Sequence, residues 1–371
     1  MSEIKKHKIA LVGYRHNFGG AERVLSNLSF VFDKLGYEVH AIIMIDDVSY
    51  PYAGTLFNVG ALRSSSNSFS NKINRFWALR KYIRKQKFDA IIDFRFRVND
   101  LQELMIYKFA YQAAVKIQTV RSGAFKNYLF TKKWLANFVY KDFDKIVCIS
   151  QKQLELVREE YNLKNLTLIY NPIDIKKMQL KSRSEVPFDK KYIIAVGRFF
   201  ELKQFDKLVE TYSKTLLPES DVHLIILGDG PEKENIQNKI KEVGLLDKIH
   251  LKEFIPEPFG YMKNALFLVN CSTTEGLPMV LLESLACGTP VIAFDCPTGP
   301  SEIIINNENG ILVENQNFEA LKESINKMYA DKDFYEECKS NALKSIQKFD
   351  SSVIEKEWED LLKELLIKKV K

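Results

Sequence analysis

Residues 275–294 read Glu275-Gly-Leu-Pro278-Met-Val-Leu-Leu-Glu283-Ser-Leu-Ala-Cys-Gly288-Thr-Pro290-Val-Ile-Ala-Phe294. Pro278 suits the first turn of a helix, where its missing N–H loses no partner. Gly288 suits the left-handed residue just past the helix end, and Pro290 opens a β-branched strand. The stretch therefore predicts a helix followed at once by a buried strand, with Glu275 and Gly276 just ahead of the helix. The free N–H groups of a helix start attract anions, with roughly 0.3–1 kcal/mol coming from the dipole alone. Glu283 lies eight residues beyond Glu275, roughly 12 Å along a helix axis. That span suits one carboxylate meeting a sugar and the other a ribose across a diphosphate. The plainer alternative is two glutamates flanking a buried helix, but a carboxylate in so apolar a helix needs a reason.

The same alternation recurs on both sides of this stretch. Residues 192–197, 222–228, 249–251, 266–271 and 310–313 are short apolar runs, as are 8–13, 39–45, 90–93, 145–150 and 166–172. Helical patterns separate most of them, notably 21–36, which closes on Gly36, and 151–161. Apolar strands alternating with helices predict α/β domains with parallel sheets covered on both faces. About a dozen such units fit two doubly wound domains rather than one sheet. Lys, Ser, Arg and Pro interrupt the pattern between Asn171-Pro172 and Pro187-Phe188, which sets domains at 1–178 and 188–350. The amphipathic segment 351–371 is a helix that either caps its own domain or returns to the first.

Composition narrows the class further. With 46% apolar and 27% charged residues, the 371-residue chain is ordinary globular protein, which excludes extensive disorder. No apolar run reaches the roughly 18 residues that cross a bilayer. Only Ile9–Gly13 separates His7-Lys8 from Tyr14, too short for a signal-peptide core, so a cytoplasmic protein is expected. The five cysteines are odd in number and form no CxxC pair, which argues against a disulfide framework or a zinc ribbon. Charge is unevenly spread: residues 1–180 hold 29 Lys/Arg against 16 Asp/Glu, and residues 181–371 hold 25 against 32. The basic half would attract phosphates or an anionic membrane surface. No recognised nucleic-acid motif accompanies that charge, so no nucleic-acid partner is expected.

Two further motifs follow strands. Gly197-Arg198-Phe-Phe-Glu-Leu-Lys203 places Arg198 and Lys203 at a strand's carboxyl end, where α/β proteins bind ligands. Two cations there can neutralise a departing diphosphate. Gly13 to Arg23 holds the pair Gly19-Gly20 ahead of the first helix, but its spacing does not match GxGxxG.

Together these residues resemble the family 4 glycosyltransferases. The matching pieces are GGAERVLSNL (19–28), NPID (171–174), VGRFFELKQFDKLV (196–209), ILGDGP (226–231), EGLPMVLLESLACGTPVIAFDCPTGPSEII (275–304) and NENGILV (307–313). The resemblance implies the GT-B fold, two Rossmann-like doubly wound domains facing a central cleft, with the C-terminal helix returning toward the N-terminal domain. It implies transfer of a sugar from a nucleotide diphosphate donor, most often a uridine diphosphate sugar, with retention of configuration and no metal or other cofactor. By the same resemblance, Glu275 contacts the donor sugar and Glu283 the ribose. Arg198 and Lys203 hold the diphosphate with the backbone near Gly276, Leu277 and Met279, and Gly19 and Gly20 lie near the phosphates and acceptor. Relatives of this type build bacterial surface polysaccharide, lipopolysaccharide or lipid-linked glycans, so the implied partners are a saccharide or lipid-linked acceptor and the inner membrane face.

Where many relatives carry a His that approaches the donor sugar, this chain has Arg121, in Gln118-Thr-Val-Arg121. The segment 72–87, KINRFWALRKYIRKQK, reads as a basic amphipathic helix that either lies on an anionic membrane or keeps one face in the core. Competing readings are an epimerase or phosphorylase on the same fold, a non-catalytic phospho-ligand protein, and a metal-dependent transferase using Asp142-Phe-Asp144. The last pair closes a helix before a buried strand more naturally than it holds a metal.

Overall fold

Runs of β-branched and aliphatic residues with no polar face are stable only when covered on both sides. In the computed structural model, which describes residues 7–16, 20–63 and 69–370, such runs pair side by side into two sheets. The first holds β1 (Lys8–Gly13), β2 (Glu38–Ile43), β3 (Thr55–Asn58), β4 (Ala90–Asp93), β5 (Val115–Val120), β6 (Lys145–Cys148) and β7 (Leu166–Leu168), in the order β3-β2-β1-β4-β5-β6-β7. The second holds β8 (Tyr192–Val196), β9 (His223–Leu227), β10 (Ile249–Lys252), β11 (Leu268–Asn270), β12 (Val291–Phe294) and β13 (Gly310–Val313), in the order β10-β9-β8-β11-β12-β13. Every pairing is parallel. The strand order reverses between β1 and β4 in one sheet and between β8 and β11 in the other. Ligands of open α/β sheets bind at such switch points, outside the carboxyl ends of the strands.

All six strands of the second sheet coincide with apolar runs, whereas β3 and β5 of the first have no such signature. β3 is a half-exposed edge strand of four residues, too short to show a period. β5 carries Lys116, Gln118 and Thr119, and the last two are fully buried. Their polarity is satisfied locally: the Tyr107 hydroxyl donates to Gln118 Oε1 at 2.9 Å, and Thr119 Oγ1 donates to the Asp93 carbonyl at 2.9 Å.

The chain divides into two compact units, Met1–Pro172 with Ser352–Lys371, and Ile173–Ser351. Residues 173–178, assigned from sequence to the first domain, therefore belong to the second. The reason is packing: the helix Ile175–Lys181 buries Ile175 and Met178 and packs on the helices Phe259–Asn264 and Met279–Ala286. The carboxylate of Asp174 caps it, accepting from the Lys177 amide at 2.9 Å.

In the first unit, one face of the sheet is covered by the helices Gly20–Lys34 and Ser351–Val370. The other is covered by Phe69–Gln86, Asp100–Met105, Lys133–Tyr140 and Gln151–Tyr161. The C-terminal helix joins this unit through Ile354, Trp358, Leu362, Leu365 and Leu366, which share a core with Leu11, Phe32, Ile92 and Val147. Trp358 is fully buried, edge-on to Phe32 at 6.2 Å, and Lys369 pairs with Asp144 at 3.0 Å. Among the described residues no helix is long and apolar enough to cross a membrane.

Trp358 is the largest fully buried side chain of the C-terminal helix. Trp358→Ala should lower the stability of the first unit by about 3–5 kcal/mol, read as a lower urea midpoint. An unchanged midpoint would mean that the helix is not part of that core.

Candidate active site

The carboxyl end of β8 is shaped by close backbone approach. A Cβ on Gly228 would lie 1.9 Å from the Gly197 carbonyl oxygen, so the loops after β8 and β9 can meet only without a side chain there. Phe199 is buried between them; its amide donates to the Asp229 carbonyl at 2.8 Å and its carbonyl accepts from the Glu232 amide at 2.9 Å. The chain then makes a 3₁₀ turn over Glu201–Lys203, and Gln204, at φ 51°, leads into the helix Phe205–Ser213. Gln204 is tied across to the end of β11: its Nε2 donates to the Cys271 carbonyl at 2.8 Å. A Cβ at Gly197 would sit 3.5 Å from Lys203 Cε, so the lysine stem folds back over the start of the same loop that presents Arg198.

From β11 comes the partner. Asn270, the last residue of that strand, is buried and donates from Nδ2 to Glu275 Oε1 at 3.3 Å, while its Oδ1 accepts from the Ser272 amide at 3.0 Å. Thr298 Oγ1 donates to the Glu275 carbonyl. Gly299, at φ 101°, presses against the same loop; a Cβ there would lie 2.7 Å from the Gly276 carbonyl oxygen. So held, Glu275 meets Lys203: Nζ lies 2.5 Å from Oε1, with the two side chains 13% and 18% exposed respectively. The pair bridges the ends of β8 and β11, the switch point of the second sheet.

The helix Met279–Ala286 starts beside this pair. Pro278 is its N-cap, at φ −70° and ψ 99°, one position earlier than the first turn expected from sequence, and no side chain caps the start. Its leading amides are thus available to a ligand. Gly276 and Met279 are half-buried and Leu277 is buried. Gly288 does adopt the left-handed conformation past the helix end, at φ 82°. Glu283 is 7% exposed in the same helix, and Arg198 is exposed, its guanidinium 5.9 Å from the Phe200 ring. Burial pushes the thiols of Cys271, Cys287 and Cys296 up to about 12, so they stay protonated and are poor nucleophiles. An open hollow of about 600 Å³ lies at the opposite, amino end of β8, lined by Arg183, Val186, Phe188, Lys190 and Lys263. It lies away from the switch point, where the chemistry-bearing groups converge.

The remaining sequence candidates lie in the first unit. Gly19 falls outside the described residues, and Gly20 opens the helix Gly20–Lys34. Arg121 follows β5 directly and is 8% exposed. Its Nη1 donates to Asn171 Oδ1 at 2.5 Å and its guanidinium lies 4.8 Å from the Phe94 ring, but Nε and Nη2 find no acceptor among the described residues. Burial without an anionic partner brings its pKa down to about 9. A guanidinium so placed still carries charge at neutral pH and is short of acceptors, which suits an oxygen-rich ligand.

Sequence reasoning missed a second cluster at the β1–β4 switch point. Arg95 is 1% exposed and its Nη2 lies 2.8 Å from Asp93 Oδ2 and 2.9 Å from Glu103 Oε2. The Tyr111 hydroxyl donates to Asp93 at 2.7 Å and the Tyr14 hydroxyl to Glu103 at 3.2 Å. Burial works against the charge on Arg95, but Asp93 and Glu103 more than offset it and raise its pKa. In the sequence these residues are only a polar ending to an apolar run, the same faint signal that Asn270 gives.

Two family models divide the chain between them: the one described as Glycosyltransferase Family 4 matches residues 18–177, and the one described as Glycosyl transferases group 1 matches residues 176–345. A Campylobacter jejuni protein, N-acetylgalactosamine-N,N'-diacetylbacillosaminyl-diphospho-undecaprenol 4-alpha-N-acetylgalactosaminyltransferase, is 30% identical over 97% of this chain and 99% of its own. Among solved structures, a glycosyltransferase from Rickettsia africae superposes with a TM-score of 0.79 at 19% identity, covering 98% of this chain and 99% of that one. Anabaena HepE in complex with UDP superposes with a TM-score of 0.76 at 17% identity, covering 96% and 100%. These neighbours and the two parallel sheets make the fold GT-B.

In the free protein the Glu275 carboxylate competes for the Lys203 ammonium that a polyphosphate would need. Glu275→Gln should therefore tighten binding of inorganic pyrophosphate, by up to about tenfold for one partly screened charge, whereas Lys203→Ala should abolish it. Titration calorimetry decides this; equal affinities in all three proteins would remove the diphosphate from this position.

Proposed function

The chain belongs to the family 4 glycosyltransferases, and we propose that it moves a hexose or N-acetylhexosamine from a uridine diphosphate sugar to a saccharide on a lipid-linked carrier, with retention of configuration. The observation that carries this reading is the Lys203–Glu275 pair at the β8–β11 switch point, beside an uncapped helix start. The diphosphate takes the ammonium of Lys203, the guanidinium of Arg198 and the leading amides near Gly276, Leu277 and Met279. Glu275, released from Lys203, turns to the sugar hydroxyls and steadies the positive charge that grows on the ring. Glu283 takes the ribose hydroxyls.

The bond from the anomeric carbon to the β-phosphate oxygen breaks toward Lys203 and Arg198. The acceptor hydroxyl attacks from the same face and passes its proton to the departing phosphate oxygen, so configuration is kept without an enzyme nucleophile. The two cations supply the neutralisation that a metal gives other transferases, and transfer is expected to survive EDTA. The first unit, with its basic charge and the buried Arg121, takes the acceptor. The Campylobacter relative acts, by its name, on a diphospho-undecaprenol saccharide. A carrier of that kind puts the work at the cytoplasmic face of the membrane, in the assembly of a bacterial polysaccharide, lipopolysaccharide or other surface glycan.

Glu275→Gln and Lys203→Ala should each lower the rate of transfer by about 10²–10³ while thermal melting stays unchanged, the usual effect of deleting one charged contact to a transition state. A thermal-shift screen of UDP-, GDP- and ADP-sugars identifies the donor, and NMR of the product reads its anomeric configuration. Undiminished turnover in either variant, or an inverted product, would sink the mechanism.

A further inference from the structure

The helices Phe69–Gln86, Asp100–Met105 and Lys133–Tyr140, which cover one face of the first sheet, are not polar on their far side. Phe69–Gln86 sends Leu79 and Ile83 into the core, the segment Asp100–Ala110 sends Ile106 and Tyr107, and Lys133–Tyr140 sends Leu135 and Val139. Facing outward from the same helices are Trp77 at 56% exposure, Leu101 at 71%, Phe109 at 48%, Trp134 at 68% and Phe138 at 47%. Contacts join Trp77, Phe109, Phe138 and Trp134 into one strip, and Leu101 lies earlier on the same segment as Phe109. Arg80 lies 5.6 Å from the Trp77 ring and donates to the Phe109 carbonyl. Lys108, next to Phe109, lies 4.2 Å from the Phe138 ring and donates to the Phe138 carbonyl at 3.3 Å. Trp134 stands one helical turn from Phe138. Large aromatics exposed in a contiguous patch on a water-soluble face need an explanation.

The charge around the strip is predominantly positive. Phe69–Gln86 carries Lys72, Arg75, Arg80, Lys81, Arg84 and Lys85 and no acid. Lys132, Lys133 and Lys141 flank Trp134 and Phe138, and all three are exposed. The nearby acids are already matched: Asp100 by Arg97 at 2.9 Å, Asp142 by Lys108 at 2.5 Å, and Glu160 by Lys126 and Lys133 at 3.9 and 3.8 Å.

We propose that this face is the docking surface for an anionic lipid bilayer. Trp77, Leu101, Phe109, Trp134 and Phe138 enter the boundary between headgroups and acyl chains, and the flanking lysines and arginines meet lipid phosphates. A second copy of the chain fits less well, because a two-fold contact through this strip would set the same cations against one another. The proposal deepens the lipid-carrier reading by naming the surface. It is read by vesicle binding and not by turnover, so either can fail alone.

The test uses the full chain and vesicles of phosphatidylcholine with and without phosphatidylglycerol. Sedimentation should be strong only with the anionic vesicles. W134S/F138S and K132E/K133E should each weaken it by about tenfold or more, with thermal melting and transfer to a water-soluble acceptor unchanged. In Trp77→Phe, brominated lipid should quench Trp134, while the buried Trp358 stays unquenched. Equal binding to neutral vesicles, undiminished binding by both double variants, or a dimer in gel filtration that W134S/F138S dissolves would overturn the proposal.

Discussion

An ammonium and a carboxylate held 2.5 Å apart, each more than four-fifths buried, lose much of their hydration, and such a pair adds little stability over an apolar replacement. Its place in the fold gives the reason for it. The lysine comes from the loop after β8 and the glutamate from the loop after β11, the two strands at which the second sheet reverses its order. Parallel strands leave a gap between diverging loops there, and the gap is filled by two opposite charges that a nucleotide sugar can separate. In the proposed reaction the diphosphate takes one and the sugar takes the other. The surrounding devices keep this gap in shape: glycines at 228 and 299 where backbones nearly touch, Gln204 bound across from the first loop to the Cys271 carbonyl, and Asn270 bound within the second loop to Glu275.

The second unit was almost fully legible in the sequence, because most of its strands are dominated by apolar runs and the helix Met279–Ala286 is bounded by Pro278 and Gly288. Gly288 and Pro290 mark one helix end and the next strand start unambiguously. Lys203 and Glu275 could each be named as candidates, but their direct pairing could not, since it depends on which strands are neighbours. Asn270, Gln204 and Thr298 went unnoticed for a simpler reason. A single polar residue at a strand end or in a turn carries no pattern of its own, and only the fold shows that Asn270 and Thr298 donate to Glu275 and that Gln204 donates to the Cys271 carbonyl.

The first unit was harder to read, and the difficulty is physical. β5 hides Gln118 and Thr119 inside the sheet, and Asp93, Arg95 and Glu103 form a buried charged cluster where an apolar core would be expected. Polar groups satisfied by partners distant in sequence break the period-based signal that reveals other strands. The limit of this unit was also misjudged by a few residues, since Ile175 and Met178 look alike on either side of a boundary until their packing partners are known. The basic helix 72–87 was ambiguous as sequence; the fold sends Leu79 and Ile83 inward and leaves Trp77 outside.

The most direct measurement is a crystal structure of the protein soaked with UDP. The β-phosphate should lie within hydrogen-bond distance of Lys203 Nζ and the amides at the start of the helix Met279–Ala286, with Glu275 swung off the lysine and Glu283 on the ribose. Density for UDP in the hollow at the amino end of β8, or anywhere that leaves the Lys203–Glu275 pair intact, would contradict the switch-point site.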